Sequence, residues 1–120
     1  MSATVTRKGR EILVTISQTS VAAATELEIP LGITRGRLLR IIAAKTSGDA
    51  SNVDPLIGIS TNPTGVDVVF EQATAAAIVD NQIVGGATFS TTSGSLFYRP
   101  TPDSGTNNAV STTLHILVGW

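Results

Sequence analysis

The 120-residue sequence predicts an all-β protein, an antiparallel β-sandwich of about eight to ten short strands. Three observations predict it. Apolar residues alternate with Ser, Thr and charged residues in short runs. Clusters of Gly, Pro, Asn, Asp and Ser break those runs at roughly 8–12-residue spacing. No amphipathic helical stretch separates successive runs, which excludes a parallel α/β sheet.

Taken in order, Glu11–Ser17 places Ile12, Val14 and Ile16 on one face and Leu13, Thr15 and Ser17 on the other. Ala22–Ile29 sets a helix-favouring Ala22-Ala23-Ala24 against a clean alternation over Thr25–Ile29; it reads as a strand ended by Pro30. Arg37–Lys45 is apolar on both faces, with Leu39, Ile41 and Ala43 against Leu38, Ile42 and Ala44. That suits a central strand, and Arg40 on the second face needs a partner or a path to solvent. Thr46–Asp54 reads as a polar loop, Leu56–Ser60 as a strand, and Thr61–Gly65 as a tight turn.

Val66, Val68 and Phe70 alternate with Asp67, Val69 and Glu71, which predicts a half-buried strand. Over Gln72–Val79 a short helix competes, because Ala73, Ala75, Ala76 and Ala77 favour it. Eight residues without a Ser or Asp cap would be marginal as an isolated helix. Ile83-Val84 and Ala87–Ser90 flank Gly85-Gly86, a bulge or turn. Ser95–Arg99 is a strand ended by Pro100, and Thr101–Ala109 is a second polar loop. The terminal strand, Thr112–Trp120, puts Thr112, Leu114, Ile116, Val118 and Trp120 on one face. Thr113, His115, Leu117 and Gly119 take the other. An apolar strand of this kind is expected to be covered by its own sheet or by another subunit, which marks Trp120 as a candidate contact residue.

The chain is expected to form one domain over residues 1–120, with a basic N-terminal segment at about 1–10. Hydrophobic content of 42% argues against disorder, and charged residues at 14% are fewer than the roughly 25% of typical soluble domains. With no cysteine, neither disulfides nor thiolate chemistry is available. Met1–Lys8 lacks the apolar core of a secretion signal, and no run approaches ~18 apolar residues. Synthesis in the cytoplasm and no membrane partner are the expectation. Charge is uneven: residues 1–45 hold seven basic and three acidic residues (7 − 3 = +4), and residues 46–120 hold one and six (1 − 6 = −5). Nucleic-acid binding is not expected, because the chain is net acidic and no aromatic residue precedes Phe70. The asymmetry instead suits a molecule oriented on a charged surface or on its own copies.

Catalytic chemistry has little to draw on. His115 is the only histidine, with no carboxylate near it in sequence to orient it. One His and no Cys exclude the usual zinc sites. Asp49, Ser51, Asn52 and Asp54, or Asp103, Ser104, Asn107 and Asn108, lack the spacing of a calcium loop and read as turn-closing residues. Asp67 and Glu71, four apart on the predicted strand, would lie on one face about 13 Å apart, as paired surface carboxylates. Tyr98 and Trp120 as a sugar-stacking platform are weighed against a core or interface role. No catalytic residue, cofactor or metal is expected.

The run Ser95-Leu96-Phe97-Tyr98-Arg99-Pro100-Thr101-Pro102-Asp103-Ser104-Gly105-Thr106-Asn107-Asn108, followed by the strand Thr112–Trp120, resembles the small jelly-roll cement or decoration proteins of tailed phages. The loop Thr46–Asp54 and the strand after it fit the same style, so the resemblance spans residues 37–120 in strand order and loop character. It implies a jelly-roll-like fold and a non-enzymatic virion protein on the capsid exterior. Such a protein would assemble as a homo-oligomer, a trimer by the family's habit, and stabilise contacts between major capsid subunits. There is no catalytic residue to carry over. Arg7, Lys8 and Arg10 are the candidates for contact with an acidic capsid surface. The alternative is a carbohydrate- or receptor-binding module of a phage fibre or spike.

Overall fold

Nine strands and a single 3₁₀ turn account for the regular structure in the computed structural model, which describes residues 2–18, 26–47, 53–71, 78–102 and 109–119. In chain order they are β1 (Ser2–Lys8), β2 (Glu11–Gln18), β3 (Leu27–Pro30), β4 (Arg35–Ser47) and β5 (Val53–Gly58). The 3₁₀ turn (Gly65–Asp67) follows, then β6 (Val68–Glu71), β7 (Ile78–Ser90), β8 (Ser95–Pro102) and β9 (Ala109–Val118). One sheet has the order β1-β2-β9-β4-β7 and the other β3-β8-β5-β6, with every pairing antiparallel.

Apart from β1, the strands pair as β2 with β9, β3 with β8, β4 with β7 and β5 with β6. The chain is thus a long antiparallel ribbon doubled back between β5 and β6. Wrapping that ribbon brings β9 against β4 and β8 against β5, closing two sheets face to face. This is the winding of a jelly roll, and it bears out the expected fold class.

The alternation read in β2 and β9 holds. Ile12, Val14 and Ile16 are at most 1% exposed, as are Thr112, Leu114 and Ile116 directly opposite them. The second sheet contributes Ile29, Ile57, Leu96 and Tyr98, all fully buried. Each such aliphatic side chain contributes about 1.5–3 kcal/mol when removed from water.

β4 departs from the expected alternation. Leu38 pairs with Ile116 and Arg40 with His115, so Leu39 is an extra residue in the ladder to β9. That bulge resets the parity: Leu38 and Ile41 both face the core at 0% exposure, and Arg40 lies outward with Ile42. The opposite assignment of Leu38 and Ile41 to separate faces is corrected. Towards β7 the register jumps from Leu38–Ala87 to Arg40–Gln82, so Gly85-Gly86 falls within an irregularity inside one continuous strand. Gly36 lets the ring of Phe89 close over β4, since a Cβ there would sit 2.7 Å from the ring.

Other boundaries also move. Ser2–Lys8, expected only as a basic segment, is an edge strand paired along its length with β2. Its two apolar residues, Ala3 and Val5, are too few to signal a strand. β8 runs past Pro100, which faces Pro55 across the ladder. Facing prolines are tolerated at a non-hydrogen-bonded pair, where neither strand calls on the missing N–H. Val66 and Asp67 belong to the 3₁₀ turn and not to β6, and Val66 is 97% exposed. The chain there closes on itself instead: Asp67 N–H donates to Thr64 O (3.1 Å) and Ile59 N–H to Asp67 O (2.9 Å). Of Ala22–Ile29, only Leu27–Ile29 lie in β3, and residues 21–25 fall outside the described residues, as do 72–77 of Gln72–Val79. Ile78 and Val79 begin β7.

Candidate functional site

The outward surfaces of the two sheets differ. On the four-stranded sheet the segment between β5 and β6 folds back over the strands. Pro63 is buried against Gly58, leaving no room for a Cβ there. Asn62, at φ +50, donates its N–H to a Glu26 carboxylate oxygen (2.8 Å) and accepts from Arg99 Nη1 (2.7 Å). Ser95 Oγ donates to Glu28 (2.9 Å) and Ser60 Oγ to Asp67 (3.1 Å). That face carries Glu26, Glu28 and Glu71 and is closed by its own loop.

The five-stranded sheet leaves its outward face open among the described residues. The alternation that buries Val14 and Leu114 turns Thr4, Thr6, Leu13, Thr15, Thr113 and His115 outward. One row across the sheet reads Thr6, Leu13, His115, Arg40, and the next reads Lys8, Glu11, Leu117, Arg37. Leu13 is 39% exposed amid hydroxyls. Beside it a shallow pocket of about 260 Å³ is lined by Thr6, Lys8, Glu11, Leu13 and His115. Lys8, Arg37 and Arg40 against Glu11 make this face the more basic one. The two faces thus differ in charge, but not along the division of the sequence: Glu26 and Glu28 come from the basic half and Arg99 from the acidic half. The signal that could have found the site was Leu13, an apolar residue on the hydroxyl side of an otherwise regular strand.

The predicted contact residues do not form one patch. Lys8 lies on the open face, whereas Arg7, paired with Ile12, projects from the opposite side of β1. Arg10 follows Gly9 in the hairpin turn and ties down the end of β9: its guanidinium donates to the Gly119 carbonyl, and its own carbonyl accepts from Val118 N–H (2.7 Å). Trp120 lies outside the described residues.

Tyr98 is no stacking platform. It is fully buried, with its hydroxyl 2.9 Å from that of Thr112, and burial pushes its phenol pKa up to about 12, partly offset by that hydrogen bond. Asp67 and Glu71 do not share a strand face, because Asp67 is drawn into the turn. Asp49, Ser51, Asn52 and 103–108 lie outside the described residues, and Asp54 is in β5. Among the described residues no group of three or more His, Cys, Asp or Glu could hold a metal ion. The open face has the composition of a contact surface: broad, hydroxyl-bearing, with an apolar centre. No protein-family profile matches the chain, and no curated protein matches it.

Proposed function

We propose that the protein is a non-enzymatic structural protein of a phage virion. It is a cement or decoration protein that assembles as a homo-oligomer, a trimer by its resemblance, on the head exterior and stabilises contacts between major capsid subunits. The open face of the five-stranded sheet is the observation that carries this reading. Threonine hydroxyls around a half-exposed Leu13 can be desolvated against a partner at low cost, because each hydroxyl can both donate and accept. Lys8, Arg37 and Arg40 at its margin suit an acidic partner surface. The jelly-roll winding supports the same reading, since it leaves broad sheet faces for mechanical contact.

The test is co-sedimentation of the purified chain with empty shells of the capsid protein. Saturable binding, reduced by Leu13→Asp and by Lys8→Glu at moderate salt, is expected. A folded chain that stays in the supernatant at all ratios would sink the proposal.

A further inference from the structure

β1 is the edge of the five-stranded sheet, and among the described residues no strand pairs with its outer side. The Lys8–Glu11 pair closes a two-residue turn in which Gly9 takes φ +61, as a II′ hairpin requires at its first position. A pair closing such a turn exchanges both backbone hydrogen bonds, and sites then alternate along the ladder. Lys8, Thr6, Thr4 and Ser2 therefore direct their N–H and C=O groups inward to β2. Arg7, Val5 and Ala3 direct theirs to the free edge.

We propose that this edge pairs with β1 of a second copy, antiparallel across a two-fold axis at Val5, making one continuous sheet from five strands of each copy. Three features select this register. Val5 would face Val5 of the second copy, and Ala3 would face Arg7, so every outward backbone group of these residues finds a partner. A centre at Arg7 would set like charges opposite each other, and one at Ala3 would leave Arg7 without a counterpart. The Val5 side chain lies on the inner side of the sheet but is 37% exposed, and the symmetric contact would cover it. The edge also lacks the bulge or proline that keeps natural edges apart, and its one charge on the inner side, Arg7, would face the small Ala3 of the second copy. An isologous two-fold seam cannot close a trimer, so this contact is additional to any three-fold one and does not rest on the proposed function.

The chain has no cysteine, which makes the test direct. Paired residues at a hydrogen-bonded site have Cα atoms about 5.5 Å apart, within the roughly 4.4–6.8 Å that a disulfide spans. Mild oxidation of full-length Val5→Cys should give a covalent dimer, while Val66→Cys, at the exposed tip of its turn, should stay uncrosslinked. Val5→Pro removes only an outward N–H and should halve the mass measured by sedimentation equilibrium, with an unchanged circular-dichroism spectrum. Equal crosslinking of the two cysteine variants, or none in Val5→Cys, would overturn the proposal. So would a wild-type mass equal to that of a folded Val5→Pro.

Discussion

The Tyr98 hydroxyl lies 2.9 Å from the Thr112 hydroxyl, and this buried hydrogen bond crosses the core from β8 in one sheet to β9 in the other. Tyr98 belongs to the apolar core cluster and Thr112 is 1% exposed, so each supplies a polar partner to the other away from water. Tyr98→Phe should cost about 1–3 kcal/mol, because it leaves the Thr112 hydroxyl buried without its partner. Thr112→Val should cost a similar amount, and the double variant less than the sum of the two. Urea unfolding of the four proteins checks this; strict additivity would show that the pair is not coupled.

The same contact sets a pH dependence. Tyr98 titrates near 10 in the unfolded chain and at about 12 in the folded protein, chiefly because burial disfavours the phenolate. Between those values the unfolded state has released the proton and the folded state still holds it, so stability falls as pH rises. The contribution is intact below pH 10 and is lost progressively up to pH 12, with an upper bound of about 2–3 kcal/mol. Unfolding free energy measured from pH 9 to 12 should show this decline, and Tyr98→Phe should flatten that part of it.

Gly58 and Gly36 are required for a different reason from the turn glycines. A Cβ on Gly58 would overlap the Pro63 ring, and one on Gly36 would lie 2.7 Å from Phe89 and 3.0 Å from the Leu117 carbonyl. Gly58→Ala should lift the loop off the four-stranded sheet and cost about 1–3 kcal/mol by overpacking. Pro63→Gly, which removes both ring atoms that the new Cβ would overlap, should partly restore stability in that background. Thermal unfolding of the single and double variants would distinguish this from a general loss of strand propensity.

Deleting one leucine of the Leu38-Leu39 pair should be tolerated. The remaining leucine would face Ile116 and Arg40 would still face His115, converting the bulge on β4 into a regular ladder with β9. A stability within about 1–2 kcal/mol of wild type is expected, far less than the loss of about 2–5 kcal/mol for truncating a buried leucine to alanine. Failure of the deletion variant to fold would mean that the irregular pairing with β7 depends on the bulge.

Alternation along single strands was enough to identify the fold class and the buried faces of β2 and β9, because side-chain period is a local property of an extended chain. It set Ile12, Val14 and Ile16 on one face of β2, and Leu114 and Ile116 on one face of β9, with Thr15, Thr113 and His115 opposite; the structure buries the first set. Composition likewise excluded cysteine chemistry before any strand was placed. The open face was legible only in part: Leu13 and Arg40 could each be set on a face of their own strand, but not on one shared sheet surface with Arg37.

What tertiary structure decided is whatever depends on a neighbouring strand. The bulge at Leu39 exists only relative to the neighbouring strands, Pro100 lies in a strand where β5 sets Pro55 opposite it, and β1 is a strand only because β2 offers it a ladder. The turn at Gly65–Asp67 forms because Ile59 and Thr64 bond to Asp67, drawing Val66 out of β6. Pairing between distant segments is settled by packing and loop closure, and a period of two says which side faces inward but not which strand lies alongside.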